Sequence, residues 1–154
     1  MAIETGLPAP DFLLPDDQGS MLSLQRFRGK PLVLYFYPKD DTPGCTKQAC
    51  AFQDAMPEFA GMDAMVVGVS RDSADRHVKF KAKYGLAFPL IVDGEAKLCQ
   101  AYEVWKEKIL YGRSKMGIER STFLIDAQGV VRRIWRKVKV EGHAQEVLAA
   151  LAKL

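Results

Sequence analysis

The sequence predicts an α/β layered fold in which helices cover both faces of a mixed sheet. Two observations carry this. Apolar strand-like runs alternate with helical patterns through the first two thirds of the chain, and the alternation ends in a hairpin signal followed by an amphipathic stretch. Such sheets place their sites in the turns that follow the carboxyl ends of strands. The turn after the first long apolar run holds a cysteine, Cys45.

Taken in order, Asp11 to Leu14 and Met21 to Leu24 flank the turn-like cluster Asp16-Asp17-Gln18-Gly19-Ser20, a short N-terminal hairpin. Leu32 to Tyr37 is continuously apolar, as a central strand covered on both faces must be. A helix begins at Thr42-Pro43, a residue suited to the N-cap followed by one suited to the first helical position. Met56-Pro57 predicts a kink in it. Met65 to Ser70 is a second buried strand, and Asp72 or Ser73 caps a helix through Val78, Phe80 and Tyr84 to Gly85. Leu90 to Val92 is a short strand, and a short helix spans Glu95 to Tyr102. Trp105 to Gly117 lacks periodicity and is assigned as a loop. Ser121 to Ile125 and Val130 to Trp135 flank Asp126-Ala127-Gln128-Gly129, a hairpin signal. Val147, Leu148 and Leu151 mark an amphipathic helix within His143 to Leu154.

The 154 residues suit one domain, spanning 1–154, with a core of its own. Hydrophobic residues make up 48% and charged residues 27%, a balance that excludes disordered and membrane-embedded classes. No apolar run approaches the roughly 20 residues of a membrane span, and the N-terminal residues lack the pattern of a secretory signal. Three cysteines are too few for a disulfide scaffold and leave one unpaired. A reducing, cytoplasmic location with a catalytic dithiol is expected. The net charge of +3 does not by itself imply nucleic acid.

Cys45 falls in the first turn of its helix, where free backbone N–H groups and the positive end of the helix dipole favour a thiolate. A thiolate is the reactive form of the residue. The plain alternative is a Thr-Pro cap followed by two small buried residues, Cys45 and Cys50. An ideal helix holds Cα atoms five residues apart at about 8–9 Å, with directions about 140° apart, whereas a disulfide wants roughly 4.4–6.8 Å. A Cys45–Cys50 disulfide therefore requires the first turns to unwind, which Gly44 and β-branched Thr46 make easier. The spacing is not that of a C-x-x-C pair. No zinc site follows, because His77 and His143 form no ligand-spaced cluster with the cysteines, and no Gly-rich phosphate loop is present.

The run Tyr37-Pro38-Lys39-Asp40-Asp41-Thr42-Pro43-Gly44-Cys45-Thr46 resembles the Pro-x-x-x-Thr-x-x-Cys signature of peroxiredoxins, and Cys50 matches the resolving cysteine of the Q subclass, the bacterioferritin comigratory protein group. Pro8 to Phe12, Trp105 to Lys108, Tyr111-Gly112 and Gly117 to Asp126 extend the similarity along nearly the whole chain. The resemblance implies a thioredoxin-like three-layer α/β/α fold and a thiol peroxidase, often monomeric, that uses no metal, flavin or haem. It implies Cys45 as the peroxidatic cysteine and Cys50 as the resolving one. Thr42 would offer its hydroxyl to the peroxide, Pro38 would shield the pocket, and Arg120 would complete the site from a distant strand. Hydrogen peroxide and small organic hydroperoxides are the implied substrates, and thioredoxin or a similar dithiol protein the implied reductant.

Elsewhere the residues have plainer roles. Cys99 follows Leu98 in a short helical segment and is expected to be a small buried hydrophobe rather than a second resolving cysteine. His77 and His143 are expected at the surface. The tract Arg132-Arg133-Ile134-Trp135-Arg136-Lys137-Val138-Lys139 has the composition of a nucleic-acid surface. Alternation explains it more simply, as a sheet edge with Val131, Arg133, Trp135 and Lys137 on one side and basic groups that deter edge-to-edge pairing; neither nucleic acid nor membrane is an expected partner. A third class, a thioredoxin-like scaffold without catalysis, would leave Cys45 unreactive.

Overall fold

A computed structural model describes residues 3–154. Strands β1 (Leu13–Pro15) and β2 (Met21–Ser23) form the N-terminal hairpin, and a 3-10 turn at Leu24–Phe27 leads into β3 (Leu32–Phe36). Helices α1 (Pro43–Asp54) and α2 (Met56–Gly61) follow, then β4 (Met65–Ser70), α3 (Ala74–Tyr84), β5 (Leu90–Val92) and α4 (Lys97–Ala101). The chain continues through β6 (Trp105–Leu110), β7 (Arg113–Ile118), β8 (Ser121–Ile125) and β9 (Val131–Trp135) to α5 (His143–Leu151). The break between α1 and α2 falls at Ala55, just ahead of Pro57, because proline cannot donate to the preceding turn.

The central sheet has the order β5-β4-β3-β8-β9. β3, β4 and β5 run parallel, while β8 returns antiparallel to β3 and β9 antiparallel to β8, so the sheet is mixed as expected. Successive β3 side chains point to opposite faces. Leu32, Leu34 and Phe36 join Val67, Val69, Phe123 and Ile125 in a core closed by the N-terminal segments, α4 and the residues that follow it. Val33, Tyr35 and Tyr37 join Val66, Leu90 and Leu124 in a second core closed by α1, α2, α3 and α5. This is the three-layer α/β/α arrangement. No helix among the described residues is long and apolar enough to cross a membrane.

Three local expectations are corrected. Residues 105–118 are a hairpin, not a loop. Its two strands pair from Trp105↔Ile118 to Leu110↔Arg113 around a two-residue turn, in which Tyr111 and Gly112 both take positive φ. Residues 106–116 are exposed, so the strands carry no core-facing alternation by which they could have been recognised. The edge strand β9 does not keep Val131 and Trp135 on one side. Leu124 pairs with Arg133 and Ile125 with Val131, which makes Arg132 the extra residue of a β-bulge. Val131 accordingly packs in the first core and Trp135 against the second. Finally, α4 starts only at Lys97, because Ala96 takes a left-handed conformation and Asp93 reaches forward to accept from the amides of Leu98 and Cys99.

Candidate active site

The loop 38–42 leaves the carboxyl end of β3 and delivers the chain into α1. Thr42 occupies the N-cap position in an extended conformation and Pro43 is the first helical residue, so Cys45 lies in the first turn. Thr42 departs from expectation in one respect. Its hydroxyl does not cap the helix but donates to the carbonyl of Lys39 at 2.8 Å, which leaves the amides of Gly44 and Cys45 uncapped by a side chain. Cys45 is 2% exposed. Its neighbours on the buried face of α1 are Gln48, Ala49 and Phe52, the spacing of a helix packed on a sheet.

Arg120 arrives from the short link between β7 and β8. That link is fixed by backbone bonds from Glu119 to Val104 and from Val138 to the carbonyl of Arg120. The half-buried guanidinium donates through Nη2 to Cys45 Sγ at 3.3 Å and through Nη1 to Gln48 Oε1 at 2.6 Å. The fork geometry of guanidinium lets one side chain orient both partners. Gly44 makes this approach possible, since a Cβ at that position would stand 3.2 Å from Arg120 Nη2. Gln48 was not anticipated from the sequence. Its three-residue spacing from Cys45, on the face that also carries Phe52, was the available signal.

Cys50 lies further along the same unbroken helix, half-buried, and both cysteines are free thiols. Burial, and after it the neighbouring Asp54 carboxylate, push the Cys50 thiol above its ordinary value. Cys99 is fully buried, as expected. Desolvation first, then its contact with Asp93, hold it as a neutral thiol far above the ordinary range. Pro38 is exposed and lines a groove of about 310 Å3 together with the apolar Trp105, Leu110, Met116 and Ile118 and the cationic Arg71 and Lys108. Arg71 also lies over the Trp105 ring at 4.8 Å.

Both histidines are corrections. His77 is 0% exposed, its Nδ1 lying 2.6 Å from Asp40 Oδ2 and its Nε2 2.9 Å from the carbonyl of Ile91. His143 is buried with Nε2 2.8 Å from Thr122 Oγ1 and Nδ1 3.4 Å from Glu146. Both lie on helix faces turned toward the sheet, and each ring finds hydrogen-bond partners there that allow its burial. Among the described residues, no group of three or more His, Cys, Asp or Glu is placed to hold a metal ion.

The model of the AhpC/TSA family matches residues 5–134. Peroxiredoxin Bcp of Bacillus subtilis is 53% identical over 151 residues, covering 98% of this chain and 96% of that protein. A putative peroxiredoxin bcp of Coxiella burnetii is 50% identical over 151 residues, 98% of this chain and 100% of that one. Among solved structures, a mutant of Xylella fastidiosa PrxQ superposes with a TM-score of 0.94 at 41% identity, over 99% of this chain and 98% of that one. The Xanthomonas campestris bacterioferritin comigratory protein, described for its alkyl peroxide reduction activity, gives 0.91 at 48% identity, over 97% and 98%.

Proposed function

Because the chain belongs to the AhpC/TSA family, within its peroxiredoxin Q or Bcp group, and is a thiol peroxidase, we propose that Cys45 is its peroxidatic sulfur and Cys50 its resolving one. The observation that carries the assignment is the Arg120 guanidinium on Cys45 Sγ at the start of α1. In the first step the Cys45 thiolate attacks one peroxide oxygen. An S–O bond forms as the O–O bond breaks, and the leaving oxygen takes back from solvent the proton that the Cys45 thiol released on ionising, to depart as water or an alcohol. Arg120 and the uncapped amide of Cys45 are the donors that meet charge developing on the oxygens. Thr42 already spends its proton on Lys39, so its oxygen meets the peroxide O–H as an acceptor. The groove beside Pro38 is where the carbon part of an organic hydroperoxide would lie, while hydrogen peroxide needs no such room.

In the second step Cys50 attacks the Cys45 sulfenic sulfur, the S–S bond forms and the hydroxyl leaves as water with the proton from the Cys50 thiol. The helix must unwind for this to happen. The disulfide is then reduced by a dithiol protein, with thioredoxin the reductant favoured by family membership. No metal or organic cofactor enters either step. A protein acting as one domain in the cytoplasm, where such reductants are kept reduced, fits the whole cycle. A peroxidase assay coupled to thioredoxin tests it. Cys45→Ser should abolish peroxide consumption. Cys50→Ser should consume about one equivalent, leave a sulfenic acid on Cys45 and then stop. Parent-like turnover in the Cys45 variant would remove the assignment, and full turnover in the Cys50 variant would move the resolving role elsewhere.

A further inference from the structure

The side-chain hydrogen bonds of Asp40 and Asp41 in the loop 38–42 run to α3, to the end of β3 and to the link before α3, and not to the helix it introduces. Asp40, 3% exposed, accepts from Tyr37 Oη at 2.5 Å through Oδ1 and meets His77 Nδ1 at 2.6 Å through Oδ2. The Asp40 amide donates to Asp72 Oδ2, which also accepts from Ser70 Oγ, while Arg76 pairs with the other oxygen of Asp72. Asp41 next to it accepts from Tyr84 Oη at 2.5 Å and from Lys83 Nζ at 2.9 Å. Beyond Thr42, by contrast, side-chain bonds to α1 come from Arg120, from the exposed Lys47–Glu141 pair, and from Gln53 Oε1, near the far end of the helix, accepting from Ala87.

His77 is the buried end of this anchorage. A carbonyl oxygen only accepts, so Nε2 carries a proton to Ile91. A second proton must then lie in the short contact between Nδ1 and Asp40 Oδ2. With both ring nitrogens engaged, the imidazole cannot turn, and the carboxylate it holds is five residues ahead of Cys45.

We propose that His77 is a positioning residue for the peroxidatic step: through Asp40 it clamps the loop 38–42 to α3, keeping Pro38, Thr42 and Cys45 in register while the turn beyond Thr42 stays free to unwind. The proposal rests on Cys45 being the peroxidatic sulfur. It assigns the two steps different dependences. Oxidation of Cys45 needs the clamp, because a reacting group displaced by even ~1 Å loses much of its rate. Resolution by Cys50 does not, because the moving segment lies on the far side of Thr42.

The test uses stopped-flow measurement of both steps in the whole protein, with Cys45→Ser as the control for the first. Asparagine sets an amide N–H where Nδ1 stands and keeps the bond to Asp40, whereas glutamine sets one nearer Nε2 and keeps only the bond to Ile91. His77→Gln should therefore slow Cys45 oxidation about tenfold or more, and His77→Asn by no more than about threefold. Both should resolve at the parent rate. Should the His77 variants fail to fold, the same contrast is available at the partner. Asp40→Asn can donate to a neutral imidazole and still accept from Tyr37, so it should stay near the parent rate, while Asp40→Ala should be slow. Equal oxidation rates within either pair, or a resolution step slowed as much as oxidation, would overturn the clamp. A parent protein whose Cys45 is not oxidised at all would instead remove the catalytic assignment beneath it.

Discussion

At the scale of single residues, the reactivity of the site is a matter of which donor reaches which atom. Arg120 divides its guanidinium between Cys45 and Gln48, a task that a point charge cannot share. Arg120→Lys keeps the charge and loses the fork. It should slow Cys45 oxidation by about ten- to a hundredfold with little change in overall stability, read from single-turnover oxidation and thermal unfolding side by side. The second cysteine is kept quiet in the opposite way. Burial, then Asp54, hold Cys50 protonated, so its alkylation in a Cys45→Ser background should accelerate with pH to a midpoint above that of a free thiol. Asp54→Asn should move that midpoint down. A midpoint at or below the ordinary thiol value would show that neither burial nor Asp54 governs this sulfur.

At the scale of elements, the proposed resolution by Cys50 requires α1, an ordered helix with both thiols free, to open. Amide exchange should be slow through residues 44–50 in the reduced protein and faster there in the disulfide form, with residues 39–42 protected alike in both. Equal protection of 44–50 in the two states, with the disulfide confirmed by mass, would contradict the helix geometry. Much of this element was readable beforehand. Thr42-Pro43 marks its start, Met56-Pro57 its break, and the apolar runs of β3 and β4 the sheet beneath it. The features that the sequence does not declare have a common cause in partners far along the chain. His77 sits in a strongly polar run, and its burial follows from Asp40 and the Ile91 carbonyl, supplied by other elements. Its spacing of three and seven from Phe80 and Tyr84 was a legible hint that a polar composition concealed. The β6–β7 hairpin carries no apolar alternation because its strands satisfy each other rather than a core, and only Tyr111-Gly112 marks its turn. The bulge at Arg132 changes which face Trp135 occupies, and nothing in a strand's own composition announces an inserted residue.

At the scale of the whole molecule, stability and acidity are linked through His143, which joins α5 to Thr122 in β8. Burial pushes this imidazole below its ordinary value, with Glu146 acting the other way. The unfolded chain therefore takes up the proton more readily than the native one. The stabilising contribution is complete above about pH 6.5, the ordinary histidine value, and is lost as the pH falls from there toward the depressed native one. Urea midpoints measured from about pH 7 down to about pH 5 should show the parent's advantage over His143→Gln shrinking with acidity. An advantage constant over that range would mean that the ring contributes by packing alone.

The antiparallel return of β8 has one more consequence. Arg120 meets a sulfur 75 residues earlier in the chain, and the two are brought together only when β8 has taken its place against β3. A growing polypeptide thus exposes Cys45 long before the cation that serves it has been synthesised. The emerging thiol has no such neighbour, and it meets the guanidinium only when the sheet closes. If Cys45 is the peroxidatic sulfur, its peroxide sensitivity reports maturation: its loss on titration with denaturant should coincide with the loss of secondary structure, and nascent chains halted before residue 120 should resist peroxide as any unremarkable cysteine does.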